Sequence, residues 1–273
     1  MVSRGEPRTR DVPTGVPKVL WLPAAVALTL VVLPVVGLVV RTDLARLPEL
    51  LGSSASLNAL RLSLVTATTS TVLCVVLGVP LAVVLARSNA RGVRFLRAVV
   101  LLPLVLPPVV GGLALLFLLG RNGLLGYVLD VVAGVRVPFT TSAVVIAQTF
   151  VAMPFLVVSL EGALRASGDR YERVAATLGA RPWTVFRRVT VPLLLPSLGS
   201  GAVLSFARAL GEFGATITFA GSLEGVTRTL PVEVYRQAEA DVDSAVALAL
   251  LLVVVAVVVI AVARPRALEG VRS

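Results

Sequence analysis

The stretch EGALRASGDRYERVAATLGARPWTVFRRVTVP, residues 161–192, decides how this chain is read. It joins two uncharged runs, yet it keeps an apolar periodicity that a plain connector has no reason to carry. Tyr171, Val174, Ala175 and Leu178 fall at i, i+3, i+4 and i+7, which lays one apolar stripe along a short helix. Ser167 and Asp169 are candidate N-caps for it. Gly179 suits the left-handed position that ends a helix. Pro182 fits the first turn of a second helix, where Trp183, Phe186 and Val189 lie near one face beside Arg187 and Arg188. The spacing predicts a helix-turn-helix with apolar faces. Such a face either lies on a membrane surface or enters a groove on a partner protein.

Working outward, uncharged runs recur at 19–40, 62–86, 98–119, 137–160, 189–207 and 244–263. Each is close to the roughly 20 residues that a helix needs to cross about 30 Å of hydrocarbon. Mean hydropathy is +0.95, and 57% of residues are apolar. The fold class expected is an all-α membrane protein of about six transmembrane helices. Its spans are placed near 19–40, 62–86, 98–119, 140–162, 193–216 and 244–263, within a membrane domain 18–264. Residues 1–17 and 265–273 are read as cytoplasmic tails, and the first run as a retained span, because its apolar stretch is long for a signal sequence.

The net charge of +10 follows the same topology. With a cytoplasmic amino terminus, 17 of the 25 lysines and arginines fall on the inner side and seven on the outer, with Arg208 inside a span. This bias puts both termini in the cytoplasm. No aromatic–basic interleaving suggests nucleic acid. The sequence has no histidine and one cysteine, Cys74, which excludes a His-based metal site, a Ser-His-Asp triad and an intrachain disulfide. Cys74 is read as a small packing residue. The only lysine is Lys18, so no phosphate-binding Gly-Lys-Ser/Thr loop exists and the chain carries no ATPase of its own. No catalytic residue, metal or cofactor is assigned.

Two further stretches stand out. The third run holds Pro103, Pro107 and Pro108, then Gly111 and Gly112, and must kink or break. The fifth ends in ALGEFGATITF, residues 209–219, just after Arg208. Arg208 and Glu212 stand at i and i+4 and face each other if the helix continues. A charge at membrane depth is costly, by roughly 2.5–3.5 kcal/mol at a helix centre. The pair is therefore either structural, or Arg208 borders an anion's path with Glu212 holding it. In the second reading Thr216 and Thr218 add hydroxyl donors.

The 161–192 stretch resembles the cytoplasmic loop of ABC-importer permeases, whose signature is Glu-Ala-Ala, three residues, Gly, nine residues, then Ile-x-Leu-Pro. Nine residues after Gly179 comes Val189-Thr190-Val191-Pro192. The Glu-Ala-Ala positions fall on Arg173-Val174-Ala175, with the acidic residue displaced one place to Glu172. The resemblance implies a type I ABC importer permease fold in which loop 164–192 is the coupling helix region. Glu172, Arg173, Val174, Ala175, Leu178, Gly179 and Pro192 would then be the residues that couple to an ATPase. The 209–219 stretch, followed by Thr227-Arg228-Thr229-Leu230-Pro231 and Tyr235, is similar to molybdate permeases in particular. Sulfate permeases share Gly-Glu-Phe-Gly and diverge after it.

What the resemblance implies is a permease subunit in the cytoplasmic membrane that translocates molybdate, with tungstate as a near-isosteric companion. Its implied partners are a second copy of the chain, two copies of a cytoplasmic ABC ATPase and an extracytoplasmic molybdate-binding protein. A sulfate/thiosulfate permease is the alternative. An intramembrane enzyme or scaffold is the remote one, and the residue content argues against the enzyme.

Overall fold

The computed structural model describes residues 16–43, 45–88 and 90–263. The tail residues 1–15 and 265–273 lie outside the described residues. All regular structure among the described residues is helical. The chain forms two units, Met1–Arg41 and Thr42–Ser273.

In the first unit a short 3-10 turn, Lys18–Leu20, leads into α1 (Trp21–Arg41), which has no buried residue. A helix that is apolar all round is suited to lipid rather than to water.

The second unit begins with α2 (Leu47–Leu51) and the long α3 (Ser54–Arg87). Ser53 caps α3, its hydroxyl accepting from the Ser56 N–H at 3.2 Å. The next segment is broken into α4 (Val93–Val105) and α5 (Pro108–Leu119). A residue that precedes proline is driven out of the helical region. Here two such residues are consecutive: Leu106 (ψ 133°) precedes Pro107, and Pro107 (ψ 134°) precedes Pro108. The two halves are bent by 116°. The proline pair thus breaks the helix outright.

Next come α6 (Gly126–Ala133), α7 (Thr141–Ser167), α8 (Arg170–Thr177) and α9 (Pro182–Val185). A π-helical turn, Phe186–Thr190, carries α9 without interruption into α10 (Val191–Leu210). The chain closes with α11 (Gly214–Phe219), α12 (Leu230–Ala240) and α13 (Val242–Ala263). Among the described residues, five helical stretches are long and apolar enough to cross a membrane: Lys18–Arg41, Ser54–Arg87, Thr141–Ser167, Pro182–Leu210 and Val242–Ala261. The bent pair α4–α5 makes a sixth if counted as one span. This is an all-α, multi-pass membrane architecture.

The centre of the second unit is α7, packed against α3 and α10, which also touch each other. The face of α3 turned inward is built from small residues, among them Ala59, Ser63, Ala67, Ser70, Cys74, Gly78 and Ala82. Small side chains let helix backbones approach where no hydrophobic effect drives them together. A Cβ on Gly78 would lie 3.0 Å from Leu156 Cδ2. Hydroxyls stitch the same seams: Thr149 donates to Ser70 Oγ at 3.1 Å, and Ser205 donates to the Ala152 carbonyl at 3.2 Å. Cys74 is fully buried in this core.

Candidate functional site

Two constellations stand at opposite ends of the helical rod Pro182–Leu210, about 40 Å apart at 1.5 Å per residue.

At the first end lies the helix-turn-helix. Gly168, at φ 64°, turns the chain out of α7. Asp169 occupies the N-cap position of α8, but its side chain makes no capping bond. It pairs instead with Arg173 at 2.8 Å. Ser167 is not a cap either: it is the last residue of α7, and its hydroxyl donates to the Leu164 carbonyl at 3.1 Å. The C-terminus of α8 closes as the glycine spacing predicts. The Gly179 N–H reaches the Ala176 carbonyl at 3.0 Å and the Ala180 N–H reaches the Ala175 carbonyl at 3.1 Å, with Gly179 at φ 83°. This is the paired-bond Schellman closure, and a side chain at Gly179 would strain its left-handed backbone.

Several apolar side chains of this segment face outward, although Val185 is buried and Phe186 half-buried. Leu178 is 83% exposed and Trp183 69%, with Tyr171 and Val174 exposed beside them. Trp183 and Phe186 stack with ring centroids 5.4 Å apart. Ala175 is half-buried, and Pro192 is exposed near the start of α10.

Glu172 behaves differently. Its carboxylate turns inward and accepts from Arg87 Nη2 at 2.8 Å and from the Thr190 hydroxyl at 3.4 Å. Arg173, standing where the resemblance expects the acid, projects outward instead. Behind α8 a cavity of about 480 Å3 is bordered by Val83, Arg87, Glu172, Ala176, Phe186 and Thr190.

Sequence reasoning missed the basic groups at this end. Arg97 and Arg165 both bind the Glu161 carboxylate, at 2.6 and 2.9 Å, and both donate to the Leu85 carbonyl. Arg87 donates to the Leu164 and Gly168 carbonyls at 2.9 and 2.6 Å. These partners lie 64 to 85 residues away along the chain, apart from the local contacts of Arg97 with Leu85 and of Arg165 with Glu161. The one available signal was that Arg87 and Arg97 border uncharged runs.

At the other end of the rod, α10 stops at Leu210, so Glu212 lies beyond the helix and not one turn along it. Gly211 and Gly214 bracket the break. The pair still forms, with Arg208 Nη2 2.7 Å from Glu212 Oε2. The second carboxylate oxygen accepts from the Ala215 N–H at 2.7 Å, at the amino end of α11. Glu212 is thus both a counter-ion and a helix cap, which its i, i+4 spacing did not convey. Its side chain is 1% exposed, whereas that of Arg208 is 26% exposed.

Thr216 is fully buried, and its hydroxyl has no hydrogen-bond partner among the described residues. The Thr218 hydroxyl is taken up by the Gly214 carbonyl of its own turn at 2.8 Å. The proline break and the glycine-rich segment meet: a Cβ on Gly214 would lie 2.8 Å from Pro108 Cβ, and one on Gly112 2.9 Å from the Ala215 carbonyl oxygen.

Residues 78–266, which contain the helix-turn-helix, the broken helix and the charge pair, match the family of binding-protein-dependent transport system inner membrane components. The chain belongs to that family. Within it, the chain is 60% identical over 225 residues to the molybdenum transport system permease protein ModB of Mycobacterium tuberculosis, covering 82% of this chain and 85% of that one. The protein of the same name from Escherichia coli K12 is 40% identical over 178 residues, covering 65% of this chain and 78% of that one. Among solved structures, a bacterial ABC transporter that imports alginate superposes with a TM-score of 0.71 at 17% identity, covering 94% of this chain and 98% of that chain. The MetNI methionine ABC transporter gives 0.60 at 20% identity, covering 76% and 92%. These two share the fold. As an inner-membrane component of this family, the chain is a multi-pass transport subunit and not an enzyme.

Proposed function

We propose that this chain is the membrane permease of an ABC importer for molybdate, with tungstate in the same ligand class. The observation that carries the reading is the 60% identity, over 82% of the chain, to a permease named for molybdenum transport. The permease acts as a homodimer with two ATPase subunits on the cytoplasmic side and a molybdate-binding protein outside, and both termini are cytoplasmic.

The exposed face of Tyr171, Val174, Leu178 and Trp183 supports docking of α8 into a groove of the ATPase. The closure at Gly179 ends α8 and turns the chain toward Trp183 within that face. Arg173 and Pro192 border it, and Ala175 backs it. Nucleotide drives transport by binding one conformer of the assembly more tightly than the other. Arg208 meets the anion, a role supported by its being the more open member of its pair. Glu212 holds its guanidinium, and Thr216 and Thr218 shape α11 behind it.

The test is ATP hydrolysis by the reconstituted complex in response to its binding protein. Molybdate-loaded binding protein is expected to stimulate hydrolysis, and the same protein offered with sulfate to leave it at the basal rate. Equal stimulation by both anions would contradict the assignment.

A further inference from the structure

We propose that Arg87 is a positioning residue that fixes the coupling helix α8 to the membrane helices α3 and α7, so that displacement of α8 reaches them undiminished. The inference rests on the docking of α8 described under the proposed function.

A helix of eight residues has little stability of its own. The apolar side chains of α8 point away from the bundle, and the left-handed Gly168 separates it from α7. Arg87, the last residue of α3, sits where three elements converge. One guanidinium donates to two carbonyls at the carboxy end of α7, those of Leu164 and Gly168, and to the Glu172 carboxylate of α8. A cation at a helix C-terminus meets orphan carbonyls and the negative end of the helix dipole. A charge-assisted bond to a largely buried carboxylate is among the stronger hydrogen bonds in a protein.

The carbonyls at the end of α3 are held in return. Arg165 of α7 and Arg97 of α4 both donate to Leu85 while sharing Glu161. The ends of α3, α4 and α7 therefore form one braced block. Among the described residues, Arg87–Glu172 is the ion pair that joins this block to α8.

This arrangement also explains the displaced acid. Moving a side chain one position turns it by about 100° around a helix. At position 172 the carboxylate faces Arg87, while Arg173, largely exposed, pairs with Asp169 at the rim of the same cavity. In this chain the acidic residue of the loop is an internal tether.

Without that tether α8 keeps only its packing on α9 and the π-helical turn and the long Thr190–Glu172 bond, and motion imposed by the ATPase is absorbed at the Gly168 hinge. The experiment measures molybdate imported per ATP hydrolysed, using the complete complex in proteoliposomes. Arg87→Gln and Glu172→Gln are each expected to lower that ratio about ten-fold, the effect of roughly one lost charge-assisted hydrogen bond. The double variant is expected to fall no further than the worse single one. Arg87→Lys keeps the charge but cannot serve three acceptors in a fixed fork, and is expected to fall between.

An unchanged ratio in Glu172→Gln, or a double variant equal to the product of the singles, would overturn the proposal. If Arg87→Gln does not assemble, the near-isosteric Glu172→Gln decides alone. A wild-type complex that imports no molybdate with ATP counts against the proposed function. Wild-type import with unchanged ratios in the variants counts against the tether only.

Discussion

Gly179 shows how far a single residue could be read before its surroundings were known. Its spacing to Pro192 and its place after an apolar stripe marked a helix end, and the left-handed backbone with both closing hydrogen bonds is found there. A Cβ at this position meets nothing within 4 Å in the chain itself. A substitution there therefore acts through backbone strain and through whatever docks outside. Gly179→Asp is expected to insert and assemble yet hydrolyse ATP with little uptake, and paired hydrolysis and uptake measurements check this. Glu172 was less legible, because its partner Arg87 lies 85 residues away and no local pattern encodes that pairing.

Glu233 carries no local sequence signal of its burial; it lies in the first turn of α12. It is fully buried and gripped by both ends of the Arg236 guanidinium, at 3.0 and 2.6 Å, and by Gln237 at 2.8 Å. Burial pushes its carboxyl up, but the hydrogen bonds from Arg236 and Gln237, with the charges of Arg236 and Arg228, outweigh it and hold the carboxyl below its usual range. A depressed folded value means that the stabilisation is present above the ordinary value of 4.5 and is lost as pH falls through the folded one. The gap in unfolding midpoint between wild type and Glu233→Gln should hold from about pH 7 to about pH 5 and shrink below the ordinary carboxylate range. A gap that closes between pH 7 and pH 5 would contradict this.

At the scale of elements, the uncharged runs announced the long helices, while their ends and breaks depended on partners. Pro107 and Pro108 told where the third run fails, but neither the 116° bend nor the seating of α5 on α11 had a local signal. That seat needs glycine: a side chain on Gly112 meets Thr218 Cβ at 2.8 Å and the Ala215 carbonyl oxygen at 2.9 Å. Backbone cannot move aside as a flexible side chain does. Gly112→Val should therefore lower stability by about 1–3 kcal/mol, the usual cost of overpacking. Gly199→Ala, where nothing lies within 4 Å, should not destabilise. Thermal unfolding in detergent separates the two. The helix α12 escaped sequence reading because its polar, acidic face looks like loop; what fixes it is the bond from the Leu230 N–H to Ser63 Oγ at 2.7 Å, 167 residues away. The early stop of α10 was likewise hidden, since Gly211 and Gly214 permit a break without requiring one.

The whole molecule joins a short helix α8 with an exposed apolar face, a braced block of helix ends and a broken helix seated on the segment that follows Glu212. The helical membrane class could be read from the uncharged runs, and the helix-turn-helix after α7 from its apolar spacing and Gly179. The braced block could not, because its contacts join residues far apart in sequence. The proposed substrate rests on likeness of the chain to molybdenum permeases. The most direct measurement of the central claim is uptake of labelled molybdate into vesicles holding the permease, its ATPase and its binding protein, with excess sulfate as competitor. The expected result is ATP-dependent accumulation that sulfate leaves intact. Accumulation without ATP, or its abolition by sulfate, would contradict the account.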